Sequence, residues 1–269
     1  MHINDPKYYD SNREWWDEAV DIHADAPSYR LKEFIAGENK LDRIIRTQLG
    51  DIRSKTLLHL QCHFGMDALC MARLGATVMG VDFSLKAIAF ARELAQKAGL
   101  AATFVKADVL RLRESISDTC DIVFTSYGVL PWLGDLDAWG RNIAASLKPG
   151  GRFILVESHP FSMTLNDGSE EIGFLFDYFH KPVPTAFDGR YRHGARQRRS
   201  SHHGCRRIPV HVLQGSAISG KARRRILAVA GRVYSTAADV LAASDKVKTI
   251  HINGQACPLK SWRGLGLAG

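Results

Sequence analysis

The chain has 269 residues, of which 45% are hydrophobic and 24% charged, with a formal net charge of +8, values ordinary for a water-soluble globular protein. No apolar run approaches the roughly 18 residues of a membrane-spanning helix, and the opening MHINDPKYYDSNREWWDEA carries acids and paired aromatics where a secretory signal needs a basic then an apolar stretch. Five cysteines, odd in number and without a CxxC pair, argue against a disulfide framework or zinc ribbon, so reduced thiols and a cytoplasmic location are expected.

In chain order, residues 1–55 hold interrupted amphipathic patterns around Trp15, Trp16, Ala19 and Ile22 and again around Leu41, Ile44, Ile45 and Leu49, read as short helices forming a cap. From Thr56 strand and helix alternate: a strand over 56–61, a helix over about 65–74, a strand over 76–81 and a helix over 85–98. Ser84 is suited to N-cap that last helix, and Gly99 to end it. A third strand follows over 102–106, then the apolar run DIVFTSY. A helix with Leu136, Trp139, Ile143 and Leu147 on one face comes next, closed by KPGG ahead of the strand RFILVE. Short strands alternating with helices of 10 to 15 residues imply parallel pairing, hence an α/β fold with a doubly wound, mostly parallel sheet.

That alternation stops near residue 182. Residues 1–182 hold 20 basic and 25 acidic side chains, and residues 183–269 hold 16 and 3. RYRHGARQRRSSHHGCRR is almost without apolar content, and no closing strand and hairpin can be traced. The expected organisation is a cap (1–55), a core (56–182) and a basic, atypical tail (183–269) that lacks the sheet's closing strands, the product of a reading-frame change or a fusion.

In an open parallel sheet the ligand sits beyond the carboxyl ends of the strands, so the loops there are the candidates. LLHLQCHFG leaves a strand and opens a helix at Gly65, where backbone N–H groups face outward. GVDFS sets Asp82 at the end of the second strand, where a carboxylate accepts from both hydroxyls of a ribose. FVKADVLRL sets Asp108 after the third strand, placed to accept from an adenine amino group, with the Val109 N–H beside it. TSYGVLPWL follows the fourth strand.

Taken together these loops resemble the class I S-adenosylmethionine-dependent methyltransferases, a Rossmann-like fold, and within it the small-molecule branch with LHLQCHFG at the first loop. The resemblance covers about residues 8–182. It implies S-adenosylmethionine as cofactor, held by Gln61, His63 and Gly65 at its methionine end, by Asp82 and Phe83 at the ribose and by Asp108 and Val109 at the adenine, with Tyr127 lining the site. It also aligns LKPGGRFILVE, with Pro149, Gly150 and Gly151, with the family's turn into strand five.

Transfer from a sulfonium is an in-line displacement that needs positioning rather than a metal, so no metal ligand is expected. His59, Cys62 and His63 do not look like a cluster, because His59 and Cys62 are expected to leave the strand on opposite sides. A general base is needed only for a protonated acceptor; Tyr127 and His159, at the ends of strands four and five, are the catalytic candidates. Trp15, Trp16 and Tyr29 are placed to pack in the core or to close over the cofactor.

The expected function is methyl transfer to a small-molecule acceptor. A nicotinamide dehydrogenase is disfavoured by the absence of GxGxxG and of any YxxxK pair. Two further readings stay open: an inactive methyltransferase-like remnant, and a protein whose Arg-rich tail grips nucleic acid phosphate.

Overall fold

The computed structural model describes residues 6–157 and four short strands at 185–187, 208–210, 249–252 and 255–258. Three helices and a 3-10 turn precede the sheet: α1 (Pro6–Asp25), the turn Pro27–Tyr29, α2 (Leu31–Ile35) and α3 (Arg43–Leu49). The alternating region follows as β1 (Thr56–Leu60), α4 (Met66–Arg73), β2 (Thr77–Asp82), α5 (Leu85–Ala98), β3 (Thr103–Lys106), β4 (Cys120–Ser126), α6 (Leu136–Ser146) and β5 (Leu147–Val156). Two 3-10 segments, Val109–Glu114 and Leu130–Trp132, lie in the loops after β3 and β4.

The five strands form one parallel sheet in the order β3-β2-β1-β4-β5. Winding reverses between β1 and β4, which leaves a crevice at their carboxyl ends. Successive residues point to opposite faces, so Leu57, Ile122, Phe124 and Ile154 pack under α4 and α5, while Leu58, Val123, Phe153 and Leu155 pack under α6 with its buried Trp139. The first of these clusters also takes in Leu41, Ile45, Leu49 and Ile52, so its packing continues across residue 55. Arg152 of β5 reinforces that junction by donating to the Leu49 carbonyl at 2.8 Å.

Local signals account for the element ends. The Ser84 side chain accepts from the Ala87 N–H and Gly99 adopts φ 63° at the other end of α5. Asp42 caps α3 through the Ile45 N–H and Asp135 caps α6 through the Ala138 N–H.

Two expectations change. The first amphipathic pattern belongs to one unbroken helix of 20 residues, about 30 Å long. Its buried face is Asn12, Trp15, Ala19, Val20 and His23, and Ile22 points outward at 46% exposure. The KPGG run lies inside β5 as a bulge: Cys120 pairs with Leu147 and Ile122 with Arg152, so Lys148–Gly151 loop out of the ladder, with Gly150 at φ 78°.

Beyond residue 157, β6 (Thr185–Phe187) pairs antiparallel with β7 (Ile208–Val210), and β8 (Thr249–Ile252) with β9 (Gln255–Pro258). Neither pair joins the five-stranded ladder. The β8/β9 pairing, with Ile252 opposite Gln255, was not foreseen although the sequence there reads Asn-Gly, a strong hairpin signal. The Arg-rich stretch RYRHGARQRRSSHHGCRR lies outside the described residues. No helix among those described is long and apolar enough to cross a membrane.

Candidate active site

A cavity of about 690 Å³ opens at the carboxyl ends of β1, β2 and β4, within the roughly 300–1,000 Å³ typical of small-molecule sites. Gln61, His63, Asp82, Phe83, Asp108, Val109 and Tyr127 all line it. Gly65 does not. Its φ of 74° places it as the left-handed N-cap of α4, and a Cβ there would lie 2.4 Å from the Phe104 ring, so packing against β3 accounts for the glycine. His159 lies outside the described residues.

The floor is built by the loop after β1. Gln61 and His63 both adopt left-handed backbone, φ 49° and 51°, which breaks the strand's alternation. For this reason His59 and Cys62 line the same cavity, where opposite sides were expected. The His63 N–H donates to Asp82 Oδ2 at 2.8 Å, and the Ser84 N–H donates to Oδ1 at 2.9 Å. Burial raises the Asp82 carboxyl to about 6, against the pull of the Ser84, His63 and Phe83 amides. Each oxygen keeps a lone pair beyond the bond it accepts, so the group stays an acceptor for ligand hydroxyls. Asp108 lies two residues beyond β3; its Oδ1 takes the Leu110 N–H at 2.9 Å, and burial raises its pKa.

The roof is α1, with Trp132 from the loop after β4. Tyr9 meets Phe83 edge to face at 5.4 Å, and Trp16 meets His63 at 5.4 Å. Trp132 stacks on Trp15 at 5.2 Å and meets Trp16 edge-on at 5.3 Å. His23 Nδ1 and His63 Nε2 are 2.9 Å apart. Burial, then the neighbouring His23, lowers His63 to about 3, and burial alone lowers His59 to about 3. Both imidazoles are therefore neutral at pH 7. Three contacts fasten α1 to the start of α5: the Ser84 hydroxyl donates to Asp17 at 2.5 Å, the Lys86 N–H donates to the same carboxylate at 3.4 Å, and the Lys86 ammonium pairs with Asp21 at 2.5 Å.

Tyr127, left-handed at φ 47°, directs its hydroxyl to Asp42. Burial, followed by the Asp42 hydrogen bond, raises its pKa, so the phenol holds its proton at neutral pH. Glu157, at the end of β5, accepts from the backbone N–H groups of Gly128, Val129 (2.8 Å) and Leu130 (3.2 Å), and thereby fixes the loop that carries Tyr127 and Trp132. Asp67, in the first turn of α4, lines the cavity beside the Ser126 hydroxyl at 3.4 Å; burial raises it to about 6.

Sequence reasoning overlooked Tyr9, Asn12, His23, Asp67, Trp132 and Glu157. Glu157 stands in the quoted RFILVE at a strand end, a signal that was present. Asn12 and His23 follow from the phase of α1, legible only once the helix is known to be continuous.

The site suits a nucleoside carrying a positive charge. Its acids accept from hydroxyl and amino groups, His59 and His63 are neutral and do not repel a cation, and Trp15, Trp16 and Trp132 are among its lining, a ring type that attracts one.

These features define an α/β fold with a parallel sheet and a small-molecule cavity at its strand ends, and sequence comparison gives its kind. Residues 58–155 match the methyltransferase domain model. Over 151 residues the chain is 32% identical to the ubiquinone biosynthesis O-methyltransferase of Nitrobacter winogradskyi, covering 54% of this chain and 55% of that protein. The corresponding enzyme of Photorhabdus laumondii is 29% identical over 152 residues, 56% of each chain. The chain thus spans a little over half the length of these relatives. A solved S-adenosylmethionine-dependent methyltransferase from Clostridium acetobutylicum is 20% identical over 50% of this chain and 52% of its own, with a TM-score of 0.37. The likeness to methyltransferases is thus carried by residues 58–155.

Proposed function

We propose that the protein transfers a methyl group from S-adenosylmethionine to a small, uncharged acceptor. The observation that carries this reading is the convergence of Asp82, Asp108 and the left-handed Gln61–His63 loop on one cavity roofed by aromatic rings. S-adenosylmethionine, when bound, supplies a methyl group already activated on a cationic sulfur. The chain's own residues bind and orient: Asp82 and Phe83 the ribose, Asp108 and Val109 the adenine, Gln61 and His63 the methionine end, with Gly65 shaping that turn from behind.

Acceptor chemistry belongs to the opposite wall, at Tyr127, Trp132 and Asp67. Tyr127, 46% exposed and protonated, gives its one hydroxyl hydrogen to Asp42, so its phenolic oxygen is left to accept from the acceptor and orient it. His159 is the proposed base for an acceptor that arrives protonated. No Lys or Arg stands among the described residues lining the cavity, so an anionic acceptor would meet three carboxylates, Asp67, Asp82 and Asp108, without a counter-charge; an apolar or aromatic acceptor fits the rings. Transfer to oxygen is the form suggested by the relatives' names. A cytoplasmic setting is part of the proposal, supported by the buried free thiols of Cys62, Cys70 and Cys120.

Isothermal calorimetry with S-adenosylhomocysteine tests the reading directly. Saturable one-to-one binding is expected, and no heat at about 0.5 mM ligand, on the order of a weak metabolite affinity, would end it.

A further inference from the structure

Helix α1 contributes one buried polar group that the adenosyl reading leaves unused. Asn12 lines the cavity at 6% exposure, and its Oδ1 is buried with no hydrogen-bond partner. A buried amide oxygen in that condition costs free energy unless something supplies a donor. Its position along the helix says what. Residues three and four apart share a face, so Asn12 lies one turn from Tyr9 and one turn from Trp16. Tyr9 sits on Phe83 and Trp16 on His63. These are the neighbours of Asp82, whose carboxylate is held by the His63 N–H and by the Ser84 N–H just after Phe83. Asn12 thus shares the cavity with Asp82 on the helix face that meets the residues flanking it.

Resting on the S-adenosylmethionine reading above, we propose that Asn12 closes the ribose subsite from the roof, its amide hydrogen-bonding the vicinal diol whose other side is held by Asp82. The division of labour is chemical. Asp82 is acceptor-only when ionised, and its oxygens already take two amides; the Asn12 amide offers one acceptor oxygen and two N–H donors, so it can complete whichever hydroxyl hydrogen or lone pair Asp82 leaves open. The roof helix then reads the ligand as well as covering it, and a sugar without hydroxyls leaves the amide unsatisfied.

The test compares binding of S-adenosylhomocysteine with that of its 2′,3′-dideoxyribose analogue, by calorimetry, in the parent protein, Asn12→Ala and Asn12→Leu. Alanine favours the helix, and the thermal midpoint without ligand checks that each variant is folded. The parent is expected to prefer the diol strongly. Both variants are expected to lose roughly three- to tenfold in affinity for S-adenosylhomocysteine while binding the dideoxy analogue as the parent does, which is the range of one hydrogen bond. Unchanged affinity for S-adenosylhomocysteine, or equal losses for both ligands, overturns the assignment while leaving the cofactor reading intact. Failure of the parent to bind S-adenosylhomocysteine overturns both.

Discussion

Replacing Asp67 by Asn removes a charge that the fold holds at a disadvantage. The carboxyl is raised from 3.8 to about 6, first by burial and also by the nearby Asp42, with the Ser126 hydroxyl pulling the other way. In the unfolded chain it ionises near the ordinary value, so between about pH 4 and 6 the folded protein holds a proton that the unfolded chain has released. Stability from this group therefore falls as pH rises through that window and is level above it. At about 1.36 kcal/mol per pH unit the difference is about 3 kcal/mol, and the partial exposure of the side chain trims this to about 1–3 kcal/mol. The amide introduced by Asp67→Asn keeps the shape and an acceptor for Ser126 but has no proton to lose. Ligand-free Asp67→Asn should thus be more stable than the parent by about 1–3 kcal/mol at pH 7.5, or some 2–10 °C in thermal midpoint for a chain of this size, with the gain vanishing near pH 4. Thermal unfolding of both proteins at matched pH values measures it. A gain of equal size at pH 4 and pH 7.5, or a loss at pH 7.5, would refute the argument that burial of the charge is responsible.

Asp82→Ala should weaken S-adenosylhomocysteine at least about tenfold, because a charge-assisted hydrogen bond contributes about 1.5–3 kcal/mol; calorimetry with an unchanged dissociation constant would remove the ribose assignment. Glu157→Ala strands three backbone N–H groups and should cost about 3 kcal/mol or more in denaturant unfolding, with Glu157→Gln losing less because one acceptor oxygen remains. Gly65→Ala must place a methyl 2.4 Å from the Phe104 ring on a backbone at φ 74°, so its thermal midpoint should drop well below that of Gly99→Ala, where nothing lies within 4 Å. Turnover, once an acceptor is found, should survive EDTA.

Where neighbours in sequence are neighbours in space, the chain was legible. Helix α5 runs from its serine cap to its glycine stop at Leu85–Ala98, and the loops after β1, β2 and β3 bring Gln61, His63, Asp82 and Asp108 to one cavity. Legibility failed where a partner is distant. Nothing near Asn12 or His23 announces a cavity built from loops far along the chain, and the role of Glu157 depends on β5 lying beside β4 in register. Gly65 shows the reverse difficulty, since a glycine expected for a ligand is accounted for by an aromatic ring on a neighbouring strand. The base candidate His159 and the Arg-rich stretch fall outside the described residues.

Ser84 stands where three structures meet: its backbone N–H serves Asp82, its oxygen accepts the Ala87 N–H, and its hydroxyl hydrogen goes to Asp17 of α1. Only the last of these crosses to the roof. Lifting α1 therefore breaks the hydroxyl bond, the longer Lys86 N–H bond to Asp17 and the exposed Lys86–Asp21 pair on this side of the site, while the α5 cap and the Asp82 clamp stay made. The hydroxyl hydrogen can turn to water when released, so the joint opens without fraying the helix beneath it. The cap of α5 and the clamp on Asp82 thus hold without any contribution from α1.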